Sequence, residues 1–122
     1  MLEAAILCLT LNVYHESRGE DFKGQVAVAQ VTLRRANYEL SNVCKTVYKP
    51  RQFSWTHQNP APPDKSGTAW LRARQVAILT VHDVIPDVTN GSTHYHEKRV
   101  KPLWRKSLTR TVVIGRHIFY RT

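Results

Sequence analysis

Acidic residues are scarce in this sequence. Nine Asp and Glu stand against 18 Lys and Arg, a formal charge of +9 over 122 residues. A balance of that sign points to a polyanionic partner: nucleic acid, anionic lipid or an anionic envelope polymer. No block of five like charges occurs, and the basic residues are densest only between Lys98 and Arg110, which speaks against a nucleic-acid-binding tail. Long apolar runs are also missing. The stretch Ala4 to Leu9 is too short to span a bilayer, Glu3 stands where a secretion signal carries a cation, and no small-residue cleavage site follows. Stable membrane insertion is therefore not expected, and synthesis in the cytoplasm without a signal peptide is. Cysteine is limited to Cys8 and Cys44, whose spacing fits no metal-ligand pattern, so both are expected to be buried thiols. The length suits one domain, residues 1–122, and a monomer.

What is present divides into helices and then strands, an α+β chain. Leu2, Ile6, Leu9 and Val13 recur at helical steps, with Leu7, Leu11 and Tyr14 on a neighbouring row, so residues 2–17 read as a largely buried helix ended by Gly19. Asp21 is placed to cap a second helix over 23–36, with Val26, Ala29, Gln30 and Leu33 on one face. A short helix over 42–49 and one from Thr68 to Val84, stopped by Pro86, are expected on either side of a polar, Pro-rich loop, Thr56 to Gly67. Asn90-Gly91 is a hairpin-turn dipeptide leading into Thr93 to His96, and Thr109 to Arg121 alternates around Val112, Ile114 and Ile118. These segments predict a small antiparallel sheet.

Glu16 is the most informative residue. It prolongs the apolar row of the first helix, where desolvation favours the neutral carboxyl and suits a general acid near neutral pH. Pairing with Arg18 at a helix end is the structural alternative. No second carboxylate is compelling: Glu20 lies past Gly19, Asp87 precedes the turn and Asp21 is occupied as a cap. A single-acid mechanism, with the C6 hydroxyl of the sugar as nucleophile, fits that inventory. His94 and His96 share one face of a strand, a spacing zinc sites use, and His15, His117 or Asp87 could supply a third ligand. That spacing keeps a metal-dependent amidase or peptidase as the alternative, although no HExxH accompanies it. A non-enzymatic basic binder of polyanions is the remaining reading. Phe53, Trp55, Tyr95, Trp104, His117 and Tyr120 could stack on sugar rings, although for Phe53, Trp104 and Phe119 a core position is the favoured reading, whereas Trp55, in the loop, favours substrate. Gln25 could face Glu16 across the helix corner.

Six blocks in order resemble the SleB/CwlJ cell-wall hydrolase family, the spore-cortex-lytic enzymes and their relatives in bacteria and phages. They are Glu16-Ser17-Arg18-Gly19-Glu20, Gly24 to Ala29, Gln52-Phe53-Ser54-Trp55, Asp87 to His96, Pro102-Leu103-Trp104 and Ile114 to Tyr120. The resemblance implies a fold like that of lysozyme and the lytic transglycosylases, peptidoglycan glycan strands as substrate, and cleavage between N-acetylmuramic acid and N-acetylglucosamine with a 1,6-anhydro end. It implies no cofactor and makes Glu16 the catalytic residue. The substrate-contact set is then Gln25, Phe53, Ser54, Trp55, Thr93, His94, Tyr95, His96, His117 and Tyr120. Arg34-Arg35 replaces the family's usual asparagine-arginine pair. A bare, basic domain of this kind is expected to be a phage endolysin acting on the wall.

Overall fold

A computed structural model describes all 122 residues. Five helices come first: α1 (Leu2–Ser17), α2 (Phe22–Arg35), α3 (Leu40–Tyr48), the single turn α4 (Trp55–Gln58) and α5 (Thr68–Val81). Strands β1 (His94–Glu97), β2 (Thr109–Ile114) and β3 (His117–Arg121) follow, with a 3-10 turn over Leu103–Ser107 between β1 and β2. The sheet is antiparallel in the order β1-β3-β2, and its register sets Tyr95 opposite Phe119 and His96 opposite Ile118.

Helix α2 is the axis of the molecule. Every residue from Gly24 to Leu33 is buried, rather than the single face that its pattern suggests, because α1 and α5 cover one side and the sheet another. Ala27 and Val31 pack under Ile114 and Phe119 of the sheet, while Val26, Ala29 and Leu33 join Leu9 and Val13 of α1 and Val76 and Ala77 of α5. The predicted cap is formed: the Asp21 carboxylate accepts the Gly24 N–H at 2.9 Å, satisfying a donor that the first turn leaves free. In α1 the row is buried at Leu9 and Val13, whereas Leu2 and Leu7 are exposed.

Two expectations need correction. Cys8 and Cys44 are joined in a disulfide that ties α1 to α3, across 36 residues of chain. Their helices pack directly together, a proximity that spacing along the chain does not reveal. Asn90-Gly91 makes no hairpin, since no strand precedes it. Both residues do have positive φ, and the turn is instead clamped by Asp87, whose carboxylate accepts N–H bonds from Thr89 and Gly91 at 2.9 and 2.7 Å. The hairpin lies further on, where Gly115, at φ +57, and Arg116 fold the alternating stretch into β2 and β3.

The boundaries also shift. The fifth helix ends at Val81, well before Pro86, and the first turn of the expected loop is α4. Trp55 fixes that turn: its indole N–H donates to the buried Asn12 side chain at 2.8 Å, and Asn12 donates in turn to Thr32 at 3.0 Å.

Candidate active site

Glu16 emerges from the last turn of α1 at the junction of two clefts. Its Oε1 accepts a hydrogen bond of 2.5 Å from the Tyr95 hydroxyl of β1, a contact across 79 residues of sequence, while no hydrogen bond engages Oε2. The site is thus assembled where the helical half meets the sheet. Burial pushes the Glu16 carboxyl above the ordinary glutamate value, against the Tyr95 bond, and the nearby Glu97 charge adds to the rise while Arg35 opposes it. Burial also pushes the Tyr95 hydroxyl well above its usual range, with the Glu16 charge and the shared hydrogen bond adding to it, so Tyr95 remains a neutral donor. A carboxyl held in this way keeps its proton to higher pH than a free glutamate and leaves one oxygen free to deliver it.

Glu20, four residues on, is a different group. Its side chain is 7% exposed, and it accepts the Arg116 N–H at 2.7 Å and the Arg116 guanidinium at 3.2 Å. Burial alone raises its pKa, but these bonds and the His117 charge outweigh it and hold the carboxyl below the ordinary value. The His117 Nδ1 lies 3.2 Å from Glu20 Oε1, in ion-pair range but not aligned as a hydrogen bond. Glycine is required opposite: a Cβ on Gly115 would stand 2.5 Å from Glu20 Oε1.

One cleft, of about 600 Å³, runs from Glu16 past Arg18, Glu97, Lys98 and Arg116 and has no apolar wall. The other, about 640 Å³, runs from Glu16 past Ser54, Gln52, His57, Tyr95 and His96 to the half-exposed Trp104. Strand alternation divides the sheet residues between two faces. Tyr95 packs edge-on against His117 and beside Phe119, toward the helices, whereas His94, His96, Trp104 and Tyr120 cluster on the opposite face with ring centroids 5.2 to 5.7 Å apart.

The sequence-predicted site therefore separates into parts. Glu16, Ser54, Tyr95, His96 and His117 share one opening beside Glu97. Phe53 leaves the substrate-contact set and lies in the core, as its aromatic reading favoured, 2% exposed with its ring 5.0 Å beneath the Arg35 guanidinium. Trp55 is likewise buried, stacked on His15 at 4.4 Å, and is not an exposed loop aromatic. Gln25 reaches the Glu20 carbonyl at 3.2 Å instead of Glu16 and is 1% exposed. Thr93 pairs with the His94 ring at 2.9 Å, and Tyr120 donates to or accepts from His96 Nε2 at the same distance.

The His94–His96 pair does share a face, but no three His, Cys, Asp or Glu side chains converge there to hold a metal ion. Asp87, one of the suggested partners, is instead paired with Arg34 at 3.0 Å. Arg34 also binds the Ser92 carbonyl at 2.8 Å and Thr89 at 3.1 Å, so the first arginine of Arg34-Arg35 anchors the loop that delivers β1.

Glu97 and Arg35 are the residues that sequence reasoning missed at this site. Only Arg35 carried a signal, as a cation ending an otherwise buried helix.

Comparison with known proteins bears on this geometry. The family model described as Cell Wall Hydrolase matches residues 19–120. The chain belongs to this family. The Cell Wall Hydrolase match begins just after Glu16, so the case for that residue rests on its surroundings.

Among curated relatives, the spore cortex-lytic enzyme of Oceanobacillus iheyensis is 34% identical over 112 residues, covering 88% of this chain and 38% of its own. That of Halalkalibacterium halodurans is 33% identical over 112 residues, covering 88% and 32%. The chain thus spans well under half the length of these relatives. Two solved structures share the fold. The catalytic domain of SleB from Bacillus anthracis, described as a germination-specific lytic transglycosylase, aligns with TM-score 0.75 at 28% identity over 96% of this chain and 93% of that one. The SleB catalytic domain of Bacillus cereus aligns with TM-score 0.78 at 27% identity over 98% and 91%. The α+β architecture is therefore that of the SleB catalytic domain, as the sequence led us to expect.

Proposed function

We propose that this member of the Cell Wall Hydrolase family cleaves peptidoglycan as a lytic transglycosylase, with Glu16 as its single acid and base. The observation that carries the reading is the Glu16 carboxyl itself: raised in pKa by burial, fixed at one oxygen by Tyr95 and open to the clefts at the other. Glu16 protonates the oxygen linking muramic acid to N-acetylglucosamine. The resulting carboxylate then takes the proton from the C6 hydroxyl, whose oxygen attacks the anomeric carbon and closes the 1,6-anhydro ring. The Tyr95 hydroxyl steadies the carboxylate between the two steps. A relative that is named a lytic transglycosylase supports the choice over hydrolysis, as does the state of Glu20, whose bonds to Arg116 leave it no role at the sugar. Mass spectrometry of digested murein tests this. Anhydromuramoyl ends are expected from the wild type and none from Glu16→Gln, whereas reducing muramic acid ends would make the enzyme a hydrolase.

The place of action is part of the proposal. The Ala4–Leu9 run lies within helix α1, and no helix is long and apolar enough to cross a membrane. The Cys8–Cys44 disulfide suits an oxidising compartment, and the charge of +9 suits an anionic envelope. The charge fits a phage endolysin that is made in the cytoplasm and meets the wall once the membrane is breached, and on that reading the disulfide closes only after the protein leaves the reducing cytoplasm. Expressed in a bacterial host, it should leave cells intact until the membrane is permeabilised and lyse them afterwards; lysis without permeabilisation would refute this role.

A further inference from the structure

The two clefts that meet at Glu16 differ in charge. The cleft toward Trp104 is walled by amides, hydroxyls and aromatic rings, with Arg51 as its one fixed charge. The other presents Arg18, Lys98, Arg99 and Arg116. Two of these cations are matched within the wall: Arg99 pairs with Glu97 at 2.6 Å, and Arg116 with Glu20 at 3.2 Å. Arg18 lies over the Tyr14 ring at 4.8 Å and has no carboxylate partner, and neither has Lys98. An uncharged sugar gains little from two unmatched cations in a cleft without apolar wall. A carboxylate gains a great deal, because both cations can donate charge-assisted hydrogen bonds to it.

We propose, on the reading of the substrate given above, that Arg18 and Lys98 form a subsite for the free carboxylates of the stem peptide carried by the muramic acid next to the scissile bond. The aromatic cleft then takes the neutral sugars, and the cationic cleft takes the charged appendage. This makes the chain a reader of peptide-bearing strands and not only of glycan.

Binding separates this claim from catalysis. Glu16→Gln protein is pelleted with intact murein sacculi and with sacculi whose carboxyl groups have been amidated. Native sacculi should bind about tenfold more tightly, the effect of one or two charge-assisted contacts. Adding Arg18→Gln and Lys98→Gln should bring the ratio close to one. Lys98→Gln alone, at an exposed position that folding does not need, should lower it part-way. Arg72→Gln with Arg74→Gln on the exposed side of α5 removes the same net charge and should leave the ratio as it was. An equal loss in that control, or a ratio that survives the cleft substitutions, overturns the subsite. Because the readout needs no turnover, a failure to find anhydro ends would overturn the proposed reaction and leave this result standing.

Discussion

Glu16 and Glu20 lie four residues apart at one corner of the molecule and are opposite in chemistry. Glu16 closes α1, receives a single hydrogen bond from a neutral hydroxyl, and is raised in pKa by burial. Glu20 follows Gly19 into the corner, is buried more completely as a side chain, and is lowered because Arg116 supplies a backbone donor and a guanidinium. The contrast shows that burial does not by itself make a catalytic acid. What decides is whether the buried carboxyl meets fixed cationic donors, as Glu20 does, or a weak donor and a like charge, as Glu16 does with Tyr95 and Glu97. One carboxylate is thereby assigned to holding the α1–α2 corner against the β2–β3 turn, and the other to proton transfer.

Exchanging each for glutamine should separate these roles most sharply. Glu16→Gln is expected to lower activity by about 10² to 10⁴-fold, the usual contribution of a general acid. It should fold normally and be more stable than wild type at neutral pH, since an ionised carboxylate no longer has to be buried. Glu20→Gln should lose about 2 kcal/mol of stability with its charge-assisted bonds, with a much smaller change in kcat. Turnover assays and denaturant midpoints check both. A Glu20→Gln enzyme that folds normally and is as inactive as Glu16→Gln would erase the distinction.

The disulfide ties the first half of α1 to α3, about two turns before Glu16, and steadies the helix that carries it. Reducing the Cys8–Cys44 bond, or replacing both cysteines with serine, frees a loop of 36 residues and is expected to cost about 3 to 4 kcal/mol on chain-entropy grounds. Thermal melts with and without reductant measure it. An unchanged melt would mean that helix packing alone holds α1 in place.

The pH dependence of stability should split in the same way. Glu20 ionises more readily folded than unfolded, so its contribution is complete above the ordinary glutamate value of 4.5 and is lost as pH falls through its lowered folded value. Glu16 is raised, so its contribution is present below 4.5 and is lost as pH rises through its folded value. Acid unfolding of Glu20→Gln should therefore begin from lower stability and fall less steeply than that of wild type. Parallel acid limbs for the two proteins would contradict the assignment.

Local patterns made much of this corner legible. The apolar row that leads to Glu16, the Asp21 cap and the helices on either side of it depend on neighbours within a turn or two, and helical periodicity records those. The partners of Glu16 do not. Tyr95 and Glu97 reach it only because β1 pairs with β3 in one register, and that register depends on a hairpin at Gly115–Arg116 hidden within one alternating stretch. The disulfide and the Asn12–Trp55 bond are contacts between elements 36 and 43 residues apart, which periodicity cannot see. Trp55 illustrates the cost: next to a Pro-rich loop it reads as an exposed aromatic, whereas a buried asparagine on α1 draws it inward.

Tyr95→Phe is the mildest of these tests and bears most directly on what tunes Glu16. The substitution removes one hydroxyl and keeps the ring that packs on Phe119 and His117, so the fold should be retained. The hydroxyl lowers the Glu16 pKa by hydrogen bonding to its charged form. Without it the carboxyl should stay protonated to higher pH. Activity that requires the protonated acid falls as pH rises through that pKa, so the alkaline limb of the kcat profile should move upward. The plateau should drop by about tenfold, because the carboxylate formed after the first proton transfer loses a hydrogen bond worth roughly 1 to 1.5 kcal/mol. A lower plateau with an unmoved limb would reduce Tyr95 to a residue that orients the carboxyl without setting its affinity for the proton.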